Sequence, residues 1–190
     1  MTDYTLIRSK RKTVALYVRP DAGLEVRAPR NMPGAEIDRF VASKTHWITE
    51  KQKLTRQRLE RQAEFRLNCD DTTRSACVQR YKQRAKQLLP EKTAAFAEQM
   101  GLKPRAVKIN SAKTRWGSCS ALKNLNFSWR LAMADDGVID YVVVHELAHL
   151  REMNHSARFW AIVAGVLPDY RERQKRLKAL QKRLGNEDWE

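Results

Sequence analysis

Residues 140–149, D-Y-V-V-V-H-E-L-A-H, constrain the fold most, because they place two histidines and a glutamate directly after an apolar run. The apolar run at 142–144 indicates a helix in the core. Burying two imidazoles and a carboxylate costs free energy unless something pairs with them. The segment therefore predicts a buried helix that carries a metal site.

The spacing of the motif suits a metal ion bound to one face of that helix. His145 and His149 are four residues apart, which places them about 40° apart around a helix and about 6 Å apart along it. Both imidazoles can then reach one ion at the ~2.0–2.1 Å typical of zinc–nitrogen bonds. Glu146 lies about 100° around the helix, beside the metal. There it can hold and deprotonate a metal-bound water.

A catalytic zinc needs a third protein ligand and an open position, and His155 is the best candidate for that ligand. A continuous helix would carry His155 about 240° away from His149, so the helix must break between them. Zinc-binding motifs with three histidines at this spacing have a glycine at the position where this chain has Glu152. We expect the helix to end near Met153, with Asn154 and His155 opening the next helix. Two carboxylates are weaker alternatives as ligands: Glu152 and Asp169.

Periodicity and turn residues predict an α+β fold, in which a small sheet packs on long helices. We expect one domain over 1–190, with an N-terminal hairpin and helix (1–66) and a helical, catalytic part (67–190). Pro90 should kink or divide the helix that contains it, and Gly101 should end that helix. The predicted elements are a hairpin over 4–26 with a turn at 21–23, helices from 34 to the low 60s and over 74–100, strands at 106–110 and 124–133, and helices at 137–152, 156–165 and 169–184.

The composition of the 190 residues bounds the remaining properties. The formal net charge is +15, and residues 99–134 hold seven basic side chains and no acidic one. Such a field attracts anions, so nucleic-acid binding through this basic surface is an alternative function. Three cysteines without a CxxC pair indicate free thiols in a reducing compartment, and we expect a cytoplasmic protein. No apolar run approaches the ~18 residues of a membrane span, and no secretory signal is visible.

The motifs also carry a family resemblance. The stretches T-R-W-G-S-C-S (114–120), 126–131, D-Y-V-V-V-H-E-L-A-H (140–149) and N-H-S (154–156) with Phe159-Trp160 resemble the YgjP-like metallopeptidase family. That family is similar in its core to the SprT-like and Wss-type zinc proteases, among the gluzincin-like zincins. The resemblance implies a zincin-like fold, zinc on the three histidines His145, His149 and His155, and Glu146 as the catalytic base.

The favoured function is therefore zinc-dependent hydrolysis of peptide bonds in a peptide or protein substrate. Three further residues are candidates for substrate binding: Arg115, Trp116 and Tyr141. Each also has a structural interpretation, as a core aromatic or a paired arginine, and Cys119 is expected to be a small packing residue. Two other functions stay open: a protease acting on partners bound to DNA or RNA, and a non-catalytic domain that zinc stabilises. The sequence leaves the oligomeric state undetermined.

Overall fold

The computed structural model describes residues 3–187 and 189, which form six α-helices, one 3-10 helix and two three-stranded sheets. The prediction of an α+β fold is confirmed, although there are two small sheets where one was expected. Within the described residues, no helix is both long and apolar enough to cross a bilayer. The elements are β1 (Thr5–Ser9), β2 (Ala15–Val18), β3 (Leu24–Pro29), α1 (Gly34–Ser43), α2 (Thr45–Asn68), α3 (Asp71–Gln99), β4 (Ala106–Asn110), β5 (Gly117–Cys119), β6 (Asn124–Ser128), the 3-10 helix (Trp129–Met133), α4 (Asp136–Ala148), α5 (Ala157–Val166) and α6 (Tyr170–Asn186).

The chain divides into two compact units, the first reaching to Asn68 and the second spanning Cys69–Leu184. The described residues 185–187 belong to the first unit and Trp189 belongs to the second. The single domain expected over 1–190 stays a prediction.

The first unit is built on a sheet of order β1-β3-β2. The predicted hairpin is confirmed as the antiparallel pair β2–β3, and β1 adds parallel to the other side of β3. Alternating residues of β3 point into a small aliphatic core. This core contains six buried side chains: Leu24, Val26, Ala28, Ile37, Val41 and Ile48.

The single helix predicted from 34 to the low 60s is wrong, because the chain leaves helical geometry at Lys44 and forms α1 and α2 instead. Lys44 has φ −111° and ψ 12°. On either side of it, the Ser43 hydroxyl donates to Phe40 O at 2.7 Å and the Thr45 hydroxyl donates to Ala42 O at 2.8 Å. Hydroxyls that bond nearby carbonyls compete with the helix hydrogen bonds, which favours a break here.

In the second unit, α3 is one helix with Pro90 inside it, so the proline does not divide the helix. Asp70 caps its N-terminus by accepting from the Thr73 backbone N–H at 2.9 Å. Leu89, Thr93 and Ala97 are buried on one face, and this packing outweighs the loss of the proline's N–H. Gly101 follows the helix with φ +61°, as its predicted role as a stop requires.

The second sheet has order β4-β6-β5, with β4 parallel and β5 antiparallel to β6. The strand predicted over 124–133 is correct only to Ser128. Beyond it the chain turns into the 3-10 helix, where Ser128 caps the first turn by accepting from the Arg130 backbone N–H. The Arg130 guanidinium covers the ring of the buried Trp129 at 4.7 Å, and this packing favours the turn over further strand.

The motif helix α4 is a core helix, as predicted, with nine of its residues buried. Asp135 caps its N-terminus by accepting from the Val138 backbone N–H at 3.0 Å. The helix ends at Ala148, however, and not near Met153. Its last turn tightens, because the Leu150 backbone N–H donates to Leu147 O at 2.9 Å.

The next helix, α5, begins at Ala157 with Ser156 as its cap, so Asn154 and His155 precede it and do not open it. The Ser156 hydroxyl accepts from the Phe159 backbone N–H at 3.3 Å. Serine is a favoured residue at this capping position, because its hydroxyl can accept a backbone N–H of the first turn. The break before His155 occurs as expected, and it needs no positive φ at Glu152.

Candidate metal and catalytic site

Three histidines converge where α4 ends and α5 begins. His145 is in the last turn of α4, His149 is its C-terminal cap residue, and His155 lies in the connection to α5. One nitrogen from each ring lies within 4.8 Å of the other two, and the Nε2 atoms of His145 and His155 are 3.0 Å apart. These three residues could hold a metal ion.

The environment keeps the two helical histidines neutral, as metal ligation requires. Burial, with the nearby His149 and His155 rings, lowers the pKa of His145 to about 3. Burial also lowers the pKa of His149. Nδ1 of His149 lies 3.1 Å from the backbone oxygen of Glu152, which favours the tautomer with Nε2 free for a metal.

Phe159 packs behind all three histidines. Its buried ring lies 4.8 Å from the ring centre of His145, 4.5 Å from that of His149 and 4.8 Å from that of His155. The ring of Trp160 stacks on that of His155, with 5.8 Å between the ring centres. The cap of α5 thus places two aromatic rings that restrict the imidazole orientations.

Glu146 is buried beside the histidines, with only 6% of its surface exposed. Burial raises the pKa of its carboxyl from 4.5 to about 7. The side chain lies directly against Gly117 of β5, where a Cβ would come within 2.6 Å of the Glu146 Cγ. A carboxyl group with a pKa near neutrality can both accept and donate a proton at physiological pH.

A cavity of about 290 Å³ brings these groups together. It is lined by Gly117, Ser118, Cys119, His145, Glu146, His149, Met153 and His155. Two smaller cavities adjoin the same strand, one polar and one largely apolar. The three imidazoles and a carboxyl of raised pKa thus share one cavity.

The other candidate residues line the smaller, largely apolar cavity and not the main one. Arg115 is exposed, Trp116 is half-buried and Tyr141 is buried, and all three line the apolar cavity with His145 and Glu146. The ring of Tyr141 is 5.8 Å from that of His145, and burial raises the pKa of its hydroxyl. Their roles in substrate binding stay predictions.

Three other residues were considered from the sequence: the alternative ligands Asp169 and Glu152, and the expected packing residue Cys119. The Asp169 carboxylate pairs with the Arg173 guanidinium at 2.9 Å. Glu152 meets His149 through its backbone oxygen, and the described ligand cluster includes neither acid. Cys119 is half-buried and lines the main cavity, with its thiol pKa raised by burial. A raised thiol pKa suits packing better than attack on a substrate.

Sequence reasoning missed two residues that shape the site. Gly117 and Phe159 belong to the stretches that carry the family resemblance, but neither is among the candidate site residues that the sequence indicates. The signal for Gly117 was its place between a tryptophan and two small residues in T-R-W-G-S-C-S. For Phe159 it was the interval of four residues from His155.

Of the comparisons with known proteins, the match to a family model identifies the class of protein. A family model described as YgjP-like, metallopeptidase domain, matches residues 12–74 and 68–180. No curated protein sequence matches the chain.

Two crystal structures of metallopeptidase zymogens are similar to part of the chain. Abylysin of Pyrococcus abyssi is 21% identical, with a TM-score of 0.45, over 48% of this chain and 93% of its own. Jannalysin of Methanocaldococcus jannaschii is 20% identical, with a TM-score of 0.43, over 50% of this chain and 95% of its own. The family match alone spans most of the chain, and the chain therefore belongs to the YgjP-like family of metallopeptidase domains.

Proposed function

We propose that the chain is a zinc-dependent peptidase in which His145, His149 and His155 hold the metal and Glu146 is the general base. One observation carries the proposal: three convergent histidines adjoin a buried glutamate whose pKa is raised to about 7. A purely structural metal site has no use for a buried, titratable carboxyl beside its ligands. The family membership supports the peptidase class.

The three imidazoles fit zinc by their chemistry. A tetrahedral zinc with ~2.0–2.1 Å bonds separates its ligand nitrogens by about 3.3 Å, within the range that these nitrogens span. The buried Nδ1 of His145 has no hydrogen-bond partner among the described residues, so this ring depends on its other nitrogen for a partner. When bound, zinc would polarise the scissile carbonyl and lower the pKa of water.

Glu146 performs the proton transfers of the proposed reaction. Its carboxylate accepts a proton from the attacking water and later gives that proton to the leaving amine. Burial favours the protonated form enough to make the second transfer accessible, and the pKa of about 7 leaves the base form populated at neutral pH. Contact with Gly117 on one side limits where the carboxyl can lie.

We infer that a substrate binds in extended form along β5. Within the described residues, β5 pairs with β6 on one side only, so its other edge can accept a further strand. Gly117, Ser118 and Cys119 also line the main cavity. Pairing with β5 would bring a peptide bond of the substrate next to Glu146 and the histidines.

Hydrolysis of a mixture of quenched fluorogenic peptides tests the function. We expect cleavage by the zinc-loaded protein, loss of cleavage after chelation, and recovery when zinc is added back. Glu146→Gln should reduce cleavage by about 10²–10⁴-fold while zinc content stays unchanged, because only the proton acceptor is removed.

Glu152→Gln is the matched control, since it makes the same chemical change at an acid outside the ligand cluster. It should retain near-normal activity. Undiminished cleavage by Glu146→Gln would contradict the proposed role of Glu146.

The alternative functions are supported by fewer observations. Action on nucleic-acid-bound partners rests on the seven basic side chains of residues 99–134, and it stays a prediction. A steep loss of affinity with added salt would support it. A zinc-stabilised domain without activity is disfavoured by the buried Glu146. The cytoplasmic location also stays a prediction.

A further inference from the structure

We propose that the polar cavity beside β5 is a subsite for an acidic side chain of the substrate, with Arg115 as its anchor. The inference rests on the proposed peptidase function and names its substrate class. The cavity measures about 170 Å³. Its lining residues are Asn110, Ala112, Arg115, Gly117, Ser118, Asn126 and Ser128.

The sheet register explains why this cavity is polar. Ser118 is paired with Asn126, and Asn110 is paired with Ser128, so all four side chains share one face of the second sheet. The opposite face packs apolar side chains such as Leu125 and Phe127 into the core. Four small polar groups thus surround the space that Arg115 borders.

The charge of Arg115 is available to a ligand. Among the residues that the structure describes, no aspartate or glutamate lines this cavity. Among the described residues, the guanidinium makes no hydrogen bond or ion pair, whereas that of Arg173 is held by Asp140 and Asp169. A guanidinium binds a carboxylate in a planar, two-pronged geometry, and amides and hydroxyls can add donors.

The cavity is also placed where a bound peptide can reach it. Gly117 and Ser118 line both this cavity and the main one, so the two are neighbours along β5. Side chains of an extended peptide alternate between the two faces of a sheet. A peptide paired with β5 would therefore direct alternate side chains toward the polar face and the cavity that Arg115 lines.

Binding of matched peptides tests the subsite without depending on catalysis. The probes are fluorescein-labelled alanine hexapeptides with amidated C-termini, in which one Glu occupies each position in turn, and an identical set with Gln. Binding is measured by fluorescence polarisation on the zinc-loaded Glu146→Gln protein, which keeps substrates intact. We expect the best Glu peptide to bind about three- to tenfold more tightly than its Gln partner, as for a partly exposed Arg–carboxylate pair.

Two further variants distinguish an effect of Arg115 itself from an effect of the protein's overall positive charge on peptide binding. Added to that protein, Arg115→Gln should abolish the tighter binding of the Glu peptide. Arg115→Glu should make a third set, with Lys in place of Glu, bind more tightly than the Glu set. Arg105→Gln, at an exposed arginine outside the three cavities, should preserve the tighter binding of the Glu peptide. Equal binding of the two sets, or no binding of either at millimolar peptide, overturns the acidic subsite. Absence of cleavage by the wild type would instead reject the proposed peptidase function.

A separate observation assigns Gly117 as the positioning residue for Glu146. A Cβ at position 117 would lie 2.6 Å from Cγ, 2.7 Å from Oε1 and 2.8 Å from Cδ of Glu146. All three nearest atoms belong to that one side chain, and such distances require it to move. We infer that glycine is needed here because the carboxyl of Glu146 occupies the space of the missing side chain.

A double-mutant cycle on zinc-free protein tests this without measuring activity. Gly117→Ala should lower the urea midpoint of the wild type clearly, but should change it little in Glu146→Ala, where the crowded atoms are absent. If Gly117→Ala does not fold, the double variant should still fold as well as Glu146→Ala. Equal losses in both backgrounds overturn the assignment.

Kinetics then show whether the position of the carboxyl matters for the reaction. Gly117→Ala should lower kcat with little change in KM or zinc affinity. The matched control is Gly165→Ala in α5, where an added Cβ meets no atom within 4 Å. It should leave kcat unchanged, and an unchanged kcat in Gly117→Ala would contradict the positioning role.

Discussion

The two sheets of this chain share one topology and have different uses. In each, the first strand runs parallel to the third and the second strand pairs antiparallel with the third. The first sheet covers a core of six aliphatic side chains. The second sheet borders the three histidines and Glu146, and its edge strand β5 lines their cavity.

The difference arises from the helices that accompany each sheet. In the first unit, α1 supplies Ile37 and Val41, which complete an apolar core. In the second unit, α4 and its C-terminal cap residue supply His145, His149 and the Glu146 carboxyl, and β5 has Gly117 where Glu146 approaches. A strand arrangement alone therefore does not create a site; the chemistry depends on the side chains that a helix brings to it.

Two core truncations sharpen the comparison, with the largest expected effects. Phe159→Ala should lower the free energy of unfolding by about 3–5 kcal/mol and weaken zinc binding, because this ring packs on all three histidines. Ile37→Ala should cost about 2–5 kcal/mol and leave zinc affinity unchanged. Urea unfolding and zinc competition with a chromogenic chelator measure both. Normal zinc affinity in folded Phe159→Ala would show that the Phe159 ring does not support the three histidines as metal ligands.

The pH dependence of stability tests the buried carboxyl of the second unit. The folded-state pKa of Glu146, about 7, exceeds its ordinary value of 4.5, so the folded state binds more protons between these values. The stabilisation is complete below about pH 4.5 and is lost as the pH rises through about 7. Relative to Glu146→Gln, metal-free wild type should lose up to about 3 kcal/mol between these limits.

Urea unfolding of chelated protein at several pH values gives this difference. The opposing contribution of His145, whose pKa is lowered to about 3, is present in both proteins and is removed by the comparison. Glu152→Gln should follow the wild type. Parallel stability curves for wild type and Glu146→Gln would mean that the carboxyl is not buried as described.

Helix caps offer the smallest effects, and two caps of the second unit form a matched pair, one far from the histidines in sequence and one next to them. Ser156→Ala and Asp70→Ala each remove a side chain that accepts a backbone N–H at a helix start. Each should cost about 1 kcal/mol. Only Ser156→Ala should also weaken zinc binding, since Ser156 follows His155 and caps the helix that carries Phe159. Equal zinc affinities in the two variants would show that this cap does not position the ligand.

Much of the fold could be predicted because local signals and tertiary packing agree. Gly101 adopts the positive φ expected after a helix, and the apolar run at 142–144 lies in a buried helix as predicted. The predicted element boundaries are wrong where side-chain interactions determine the backbone conformation. Hydroxyls near Lys44 compete with helix hydrogen bonds, and the packing of Trp129 ends a strand early.

The candidate site could be predicted from the sequence only in part. The positions of His145, Glu146 and His149 on one helix follow from the helical repeat. The loop that brings back His155 was inferred from the need for a third ligand, but its boundaries were not, because backbone hydrogen bonds after Ala148 set them. The contact between Gly117 and Glu146 joins residues distant in sequence, and no local pattern reports it.

The measurement that tests the account most directly is the zinc content of untagged protein by plasma mass spectrometry, with His155→Ala measured alongside. We expect close to one zinc per wild-type chain and a large loss in His155→Ala. His46→Ala, at an exposed histidine of α2, should retain the metal. Absence of zinc from wild type even after reconstitution, or full zinc content in His155→Ala, would contradict the three-histidine site.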